Sequence, residues 1–324
     1  EGSNQLGKNS GARWMPTWNI STAWNVHEEK FFEKLKPLSH LTLRLSYSLT
    51  GTPPDASYAS SSTVLRAMTQ YRPTASDKES GITIYQYGNS ALTYEKKNEF
   101  NVGVDAGLWN DRLNVTFDVY QRRNFDELVP QLTYLKGTMF ANSGKMKSWG
   151  EELSISSTNI KTKDFSWNTS FVYSHNKTEI TALFNQGTVM DMISGSGFAK
   201  QGYPVRTIFS VPFVGLDEKG RPQFINEKGE ITTSSINFQE RDLTDFLKYE
   251  GPSDPVYSGS LSNIFNYKGF HLNIFMTYAF GNVVRLNPVF SGSYTDLTSM
   301  TQVFKNRWMV SGDENTTHVP GILA

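Results

Sequence analysis

Residues 40–51 read HLTLRLSYSLTG, a segment in which apolar and polar side chains alternate without interruption. An apolar residue stands at every second position from Leu41 to Leu49, with Arg44 and hydroxyl residues between them. Successive side chains of a strand point to opposite faces, so this pattern predicts a β-strand with one apolar and one polar face. The apolar face must contact either a second sheet or lipid, and the rest of the sequence decides between the two.

The same alternation recurs along the chain. Strict period-two patterns over eight or more residues favour strands over helices. The eight predicted strands lie in residues 14–26, 40–51, 99–109, 113–122, 151–160, 165–176, 256–267 and 270–280.

The connections between these strands alternate in length. Short joints at 27–39, 109–112, 161–164 and 267–269 alternate with long connections at about 52–92, 123–148 and 177–255, and a further long segment spans 281–324. Loops longer than about 15 residues are uncommon in compact domains. Outer-membrane barrels combine short periplasmic turns with long extracellular loops, and aromatic residues collect at both membrane interfaces, as they do at the strand ends here. The sequence therefore predicts an all-β fold, a segment of a transmembrane antiparallel β-barrel whose four long segments are extracellular.

The position of Arg44 supports lipid as the contact of the apolar face. In a barrel, residues 41–49 face lipid at alternate positions and Arg44 faces the interior; an arginine facing lipid at mid-membrane would cost about 2–4 kcal/mol. Two alternatives stay open. One is a passive small outer-membrane barrel or surface adhesin made of these strands alone, and the other is a secreted soluble β-sandwich that binds glycans.

Composition excludes several function classes. Lys and Arg number 31 and Asp and Glu number 31, so no excess of positive charge points to a nucleic-acid partner. The chain has no cysteine, which excludes disulfides and thiol chemistry. The sequence contains no run of about 18 apolar residues, so it predicts no membrane-spanning helix. Both ends of the sequence resemble loops, so we expect a segment of a longer protein.

Catalytic and metal-binding motifs are missing from the sequence. It contains no GxSxG, HExxH or P-loop pattern. His175 and His271 are predicted to face the interior near strand ends, without a neighbour at a catalytic spacing. The acidic segments DEKG at 217–220 and NEKG at 226–229 lack the ligand spacing of a calcium loop and predict two turns of a hairpin. We therefore predict no enzymatic activity, no cofactor and no metal site.

Five segments, in order along the chain, resemble one family of barrels. They are RWMPTWNISTAWNVHEEKFF with LSHLTLRLSYSLTG (13–32 and 38–51), LTYEKKNEFNVGVDAGLWNDRLNVTFDVYQRRNFDEL (92–128), NSGKMKSWGEELSI (142–155), YEGPSDPVYSGSLSNIFNYKGFHLNIFMTYAFG (249–281) and RWMVSGDENTTHVP (307–320). These segments resemble the barrel of SusC/RagA-type TonB-linked outer-membrane proteins. The chain departs from the family pattern at Ser90, Tyr94 and Glu151.

The resemblance implies a Gram-negative outer-membrane protein with a 22-stranded barrel, of which this chain supplies about eight strands. It also implies a plug domain and a TonB-contacting segment N-terminal to this chain. A SusD-type surface lipoprotein would act as a lid, and TonB would supply the energy to import oligosaccharides, glycans or peptides.

Two groups of residues are candidates for function in such a barrel. Polar residues predicted to face the lumen, or to contact the plug, are Arg44, Glu99, Asn101, Asp105, Asp118 and Arg122. Aromatic residues in the long connections, whose ring faces bind sugars and apolar peptide side chains alike, are Tyr58, Tyr71, Tyr85, Tyr134, Phe140 and Phe198.

Overall fold

The structure is a computed structural model of the 324-residue chain. It describes residues 2–3, 6, 11–32, 37–55, 60–69, 80–133, 137–184, 187–286, 289 and 301–322. Two compact units are present, the first formed by Glu1–Asn185, Gln201–Pro204 and Pro255–Phe280 and the second by Gln186–Lys200, Val205–Asp254 and Gly281–Ala324.

The first unit is built on an antiparallel sheet of eight strands. They are β1 (Trp18–Asn25), β2 (Leu38–Thr52), β5 (Glu95–Leu108), β6 (Leu113–Thr133), β7 (Gly137–Lys161), β8 (Phe165–Ala182), β14 (Tyr257–Tyr267) and β15 (Phe270–Phe280), in that spatial order. A separate hairpin is formed by β3 (Val64–Thr69) and β4 (Ser80–Gln86), and short 3-10 helices span Gly11–Arg13 and Val26–Glu28. The sheet confirms the predicted antiparallel all-β architecture.

One face of this sheet, which we call the apolar face, carries the alternate apolar side chains. Leu43 lies opposite Trp24 of β1 and Val104 of β5, and Val104 lies opposite Phe117 of β6. Many of these side chains are exposed, and Ile20 is 72% exposed. A continuous exposed apolar face is unfavourable in water but is the expected outer surface of a barrel in lipid.

The four short connections lie at one end of the sheet, here called the short-turn end. The β14–β15 connection is a two-residue turn in which Lys268 and Gly269 both have positive φ, at 45° and 90°. This backbone matches the right-handed twist of the two strands it joins. The opposite end, the long-loop end, carries the connections after β2, β6, β8 and β15.

Strand pairing continues into a segment that the sequence predicts as a connection. Residues 123–133 of β6 and 137–148 of β7 extend the β6–β7 hairpin, with Arg123 opposite Lys147 and Phe125 opposite Lys145. A bulge accompanies the positive φ of Asp126, 59°. The apolar alternation ends near residue 122 although the backbone pairing does not, so the sequence boundaries fall short of the strand boundaries.

The second unit contains short strands and one helix. They are α1 (Val189–Ile193), β9 (Thr207–Ser210), β10 (Phe213–Leu216), β11 (Pro222–Ile225), β12 (Ile231–Thr232) and β13 (Lys248–Pro252), with 3-10 helices at Gln302–Asn306 and Asp313–Asn315. β9 pairs with β13, and β10, β11 and β12 form a meander.

The two acidic turns predicted at 217–220 and 226–229 are confirmed within this meander. The Gly220 N–H donates to the Asp217 carbonyl at 2.9 Å, and the Gly229 N–H donates to the Asn226 carbonyl at 3.0 Å. Hydrogen bonds from backbone N–H groups, that of Arg221 first, hold the pKa of the Asp217 carboxyl below its ordinary value. The ionised carboxylate therefore stabilises the first turn.

No helix among the described residues is long and apolar enough to cross a membrane.

Candidate functional site: the polar face of the sheet

The polar face of the sheet carries all six residues that the sequence predicts to line a lumen. They are Arg44 of β2, Glu99, Asn101 and Asp105 of β5, and Asp118 and Arg122 of β6. Along each strand, the residues before and after each of these six belong to the apolar face. With the observed register, all six side chains therefore share the other side of the sheet. Their role in a lumen stays a prediction at this point.

Arg44 joins the polar faces of three strands. Its Nε donates to Oδ2 of Asp105 at 2.6 Å, and its Nη2 donates to Oδ1 of Asp105 at 3.2 Å and to Oδ2 of Asp118 at 3.0 Å. The Thr116 hydroxyl also donates to Asp105, at 2.9 Å. Charge-assisted bonds from one planar guanidinium to two carboxylates fix the orientation of all three groups.

Gly103 makes this ion pair possible. It lies on β5 directly between Arg44 of β2 and Asp118 of β6. A Cβ at this position would lie 2.4 Å from Oδ1 of Asp118 and 2.7 Å from Cζ of Arg44. A glycine inside a strand often marks a close approach, and here it lets two side chains meet above the strand that separates their own.

A second ion pair lies nearer the long-loop end. Arg122 donates from Nε and Nη2 to the two carboxylate oxygens of Glu99, at 3.0 and 3.3 Å. Nζ of Lys97 is 3.1 Å from the same carboxylate. The Arg122 guanidinium also lies 3.9 Å from the centre of the ring of Tyr120, which is buried. Two cations therefore contact the Glu99 carboxylate.

Asp118 has spare hydrogen-bonding capacity. Its Oδ2 binds Arg44, while its buried Oδ1 has no hydrogen-bond partner in the described part of the chain. Glu152 of β7 lies directly opposite Asp118. Two carboxylates side by side, with one oxygen unpartnered, create a local demand for a positively charged group. We call the polar face of β2, β5 and β6, with Glu152, the charged half.

The rest of the polar face carries mainly uncharged side chains, and we call it the hydroxyl half. Its hydroxyl and amide residues are Ser154, Ser156 and Thr158 of β7, Ser166, Asn168, Ser170 and Ser174 of β8, Ser258, Ser260, Ser262 and Asn266 of β14, and Asn273 and Thr277 of β15. An open groove of about 150 Å³ runs along this half, lined among others by Ser156, Asn168, Ser170 and Ser262. This surface offers many weak hydrogen-bonding groups and no fixed charge along the groove.

The six candidate aromatic residues have different surroundings. Tyr58, Tyr71 and Tyr134 lie outside the described residues. Tyr85 of β4 is exposed, and the Arg66 guanidinium lies 4.1 Å from the centre of its ring. Phe140 of β7 packs against a small core formed by Leu6, Met15, Leu92 and Tyr94. Phe198 belongs to the second unit, where its backbone pairs with Thr207. Substrate contact by these residues stays a prediction.

The predicted inward orientation of His175 is wrong. The register places His175 opposite Glu151 of β7, in the same row of the apolar face as Val119 of β6. Its ring lies between the rings of Trp149 and Tyr257, with centroids 4.9 and 4.8 Å away. Packing between two aromatic rings on the apolar face explains the burial of this imidazole, whereas His271 lies on the polar face beside Asn266, as predicted.

Sequence reasoning missed Gly103, Thr116 and Glu152 as members of the polar-face site. The glycine inside an otherwise regular alternation was the available signal for a close approach. Glu152 shares the strand phase of Ser154 and so was identifiable as a polar-face residue. Within the described residues, no group of three or more His, Asp or Glu side chains is placed to hold a metal ion.

Comparison with sequence families gives one match to nearly the whole chain. Residues 2–287 match the family described as TonB dependent receptor-like, β-barrel. TonB-dependent receptor P3 of Formosa agariphila is 26% identical over 337 residues, covering 99% of this chain and 33% of that protein. TonB-dependent receptor SusC of Bacteroides thetaiotaomicron is 28% identical over 311 residues, covering 88% of this chain and 29% of that protein.

Comparison with solved structures agrees with the sequence match. The chain aligns with the RagAB peptide transporter at a TM-score of 0.78 and 26% identity, covering 99% of this chain and 35% of the other. The chain thus spans about a third of the length of the curated relatives that it matches.

Proposed function

The chain belongs to the TonB dependent receptor-like β-barrel family, and we propose that it forms part of an active nutrient importer of the SusC/RagA type. As a SusC/RagA-type barrel segment it lies in the outer membrane of a Gram-negative bacterium, with its apolar face toward lipid. The proposed import is energised by TonB through regions outside this chain. The cargo is an oligosaccharide or a peptide, and the chain performs no covalent chemistry.

The alignment with the RagAB peptide transporter over 99% of the chain is the observation that carries this proposal. That neighbour transports peptides, which makes a peptide one of the two cargo classes. A polar face with hydroxyl, amide and charged groups also suits a water-filled lumen, because cargo that is rich in hydrogen-bonding groups needs polar contacts during passage.

The proposed role of the charged half is to hold a plug domain inside the barrel. Asp118 has an unpartnered carboxylate oxygen, and Glu152 lies beside it. A Lys or Arg from a plug would neutralise this pair, and Arg44 would hold Asp118 in place to receive it. The contact would be specific and strong enough to seat the plug on one side of the lumen.

The hydroxyl half would serve as the passage side when the plug rearranges. Serine and asparagine side chains form weak, interchangeable hydrogen bonds, so a polar cargo can move along them without being trapped. The proposed path runs along the groove that contains Ser156, Asn168 and Ser170.

A SusD-type surface lipoprotein is the proposed partner at the long-loop end. The β3–β4 hairpin carries exposed apolar side chains, including Leu65, Ile82 and Ile84, and the exposed ring of Tyr85. A two-stranded hairpin is marginally stable alone, so burial of these side chains against a lid would stabilise it. Tyr85 would then lie where lid and cargo meet.

Uptake by intact cells tests the proposal. A strain that lacks the full-length protein would be complemented with the wild-type gene and supplied with labelled peptide and oligosaccharide mixtures. We expect uptake of one class only in the complemented strain, and loss of that uptake when the proton gradient is dissipated. Energy-independent uptake would instead identify a passive barrel and would contradict the proposal.

Purification from outer membranes tests the partnership separately. Detergent extraction of the tagged full-length protein should yield a surface lipoprotein in a fixed ratio. A variant with Leu65, Ile82 and Ile84 changed to Ser should lose the lipoprotein but stay in the membrane. The matched control is Ile160→Ser, at an exposed position of β7 near the short-turn end. This variant should still copurify with the lipoprotein.

A further inference from the structure

A cluster of four cations lies on the apolar side of the sheet at its long-loop end. It consists of Arg123 of β6, Lys145 and Lys147 of β7, and Lys177 of β8, and we call it the basic patch. All four residues are exposed. Arg123 lies directly opposite Lys147, and Lys177 lies directly opposite Trp149. The strand phase of the patch is that of the lipid-facing residues, so its charges point outward.

The patch follows immediately after the aromatic residues of the apolar face. Phe100, Gln121, Trp149 and Lys177 form one row across the sheet, and the row of Arg123 and Lys147 lies about 7 Å further along the strands. Aromatic residues on the outside of a barrel mark the membrane interface. The basic patch therefore lies at the level of the lipid headgroups.

The charges of the basic patch are only partly neutralised by the residues that the structure describes. Two like charges directly opposite one another in a sheet are destabilising. Lys147 contacts Glu179, with its Nζ 2.9 Å from Oε2. Arg123, Lys145 and Lys177 have no ion-pair or hydrogen-bond partner among the residues that the structure describes. An external anion between Arg123 and Lys147 would relieve their repulsion.

A groove beside the patch adds an apolar contact to the charged one. Its lining consists of Tyr47, Phe100, Asn98, Gln121 and Arg123, around about 370 Å³ of open space. Tyr47, Phe100 and Gln121 lie in one row at the membrane side, while Asn98 and Arg123 lie in the next row toward the long-loop end. A ligand that fits both parts has an acyl chain joined to an anionic head.

We propose that the basic patch and this groove bind a phosphate-bearing glycolipid of the outer leaflet, with its phosphate between Arg123 and Lys147 and an acyl chain against Tyr47 and Phe100. Arginine and lysine both bind phosphate strongly, and juxtamembrane cations attract anionic headgroups. The assignment to the outer leaflet rests on the proposed orientation, in which the long connections are extracellular. The proposed lipid binding does not depend on transport, so lipid binding and cargo uptake can succeed or fail independently.

Native mass spectrometry of the full-length protein in detergent tests this site. The probes are bis-phosphorylated lipid A, the same lipid after removal of its phosphates, and inorganic phosphate. The test variant combines Arg123→Gln with Lys147→Gln, and the matched control combines Lys161→Gln with Lys163→Gln at the short-turn end, where both lysines are exposed.

We expect the Arg123→Gln/Lys147→Gln variant to bind lipid A about 25-fold more weakly, since each headgroup-level cation contributes about fivefold to affinity. The control variant should bind as wild type, and the dephosphorylated lipid should not distinguish the three proteins. Unchanged migration of the folded barrel in unheated gels would show that the variant is folded. Equal binding of lipid A by both variants, or displacement by inorganic phosphate at equal concentration, would overturn the proposal.

Discussion

The two halves of the polar face differ in how their side chains are held. In the charged half, Arg44 bonds to Asp105 and Asp118 across three strands. In the hydroxyl half, Ser156 and Ser170 line an open groove, and neither has a side-chain hydrogen bond among the described residues. One half carries a charged network across three strands, and the other carries neutral side chains with only local contacts such as Ser262–Asn273 and Asn266–Ser166, although both belong to one sheet with one register.

This difference indicates that the two halves of the polar face have different functions. A fixed network with one unsatisfied carboxylate oxygen suits a single, stable contact such as a docked domain. Neutral hydroxyl and amide groups, most of them outside any charged network, suit many brief contacts with a moving ligand. Substitutions should therefore affect stability in the charged half and transport in the hydroxyl half.

The largest effect is expected from Gly103→Val. The new side chain would occupy the space between Arg44 and Asp118, which a Cβ alone would enter at 2.4 Å from Oδ1 of Asp118. Overpacking together with separation of the ion pair should lower the free energy of unfolding by about 3 kcal/mol. Urea unfolding of the full-length protein in lipid vesicles measures this change.

Ser170→Val is the control for that substitution in the hydroxyl half. It places the same side chain on the polar face of β8, at a groove position. We expect a change within about 0.5 kcal/mol. Equal losses for the two variants would show that the charged half is no more tightly packed than the hydroxyl half.

Arg44→Met should have the next largest effect on stability. It leaves Asp105 and Asp118 without their shared cation, at a site that is partly open to solvent. We expect a loss of about 2 kcal/mol, reduced from the value for a fully buried pair by solvent screening. Arg122→Met should cost only about 1 kcal/mol, because Glu99 keeps Lys97 as a partner. The same urea titration compares the two variants, and a larger loss for Arg122→Met would contradict the central role of Arg44.

Most of the sheet could be predicted from the sequence, since alternation is a local property. The phase of HLTLRLSYSLTG is enough to assign Arg44 and Leu43 to opposite faces. The Arg44–Asp118 contact could not be predicted, because it depends on the relative register of β2, β5 and β6. Long-range register is decided by pairing across the whole sheet.

The errors at the long-loop end have a different physical cause. Beyond the lipid, strands need no apolar face, so the pairing of residues 123–133 with residues 137–148 continues after the alternation ends. His175 was misassigned because a polar residue type was given more weight than strand phase. Its odd position, shared with Tyr173, places it on the apolar face.

Ser170→Glu tests transport in the hydroxyl half. It introduces a fixed negative charge into the groove, where serine contributes only a hydroxyl group. We expect uptake to fall about tenfold while the free energy of unfolding stays nearly unchanged, since a charged side chain in a passage alters the barrier for cargo. Ser170→Asn is the neutral control and should keep near-normal uptake. Normal uptake by the Ser170→Glu variant would show that the cargo passes along another part of the polar face.

The smallest expected effect is the loss of a single hydroxyl group, which we compare between the two halves. Thr116→Val removes the hydroxyl that donates to Asp105 at 2.9 Å, and should lower the free energy of unfolding by about 1 kcal/mol because the acceptor is a carboxylate. Thr277→Val makes the same change on β15, where the hydroxyl has no hydrogen-bond partner among the described residues, and should change stability by less than about 0.5 kcal/mol. Urea unfolding of both variants, run side by side, resolves this difference. If Thr277→Val were as costly as Thr116→Val, the free hydroxyl groups of the hydroxyl half would be as tightly held as the charged half, and its proposed role as a passage of weak contacts would fail.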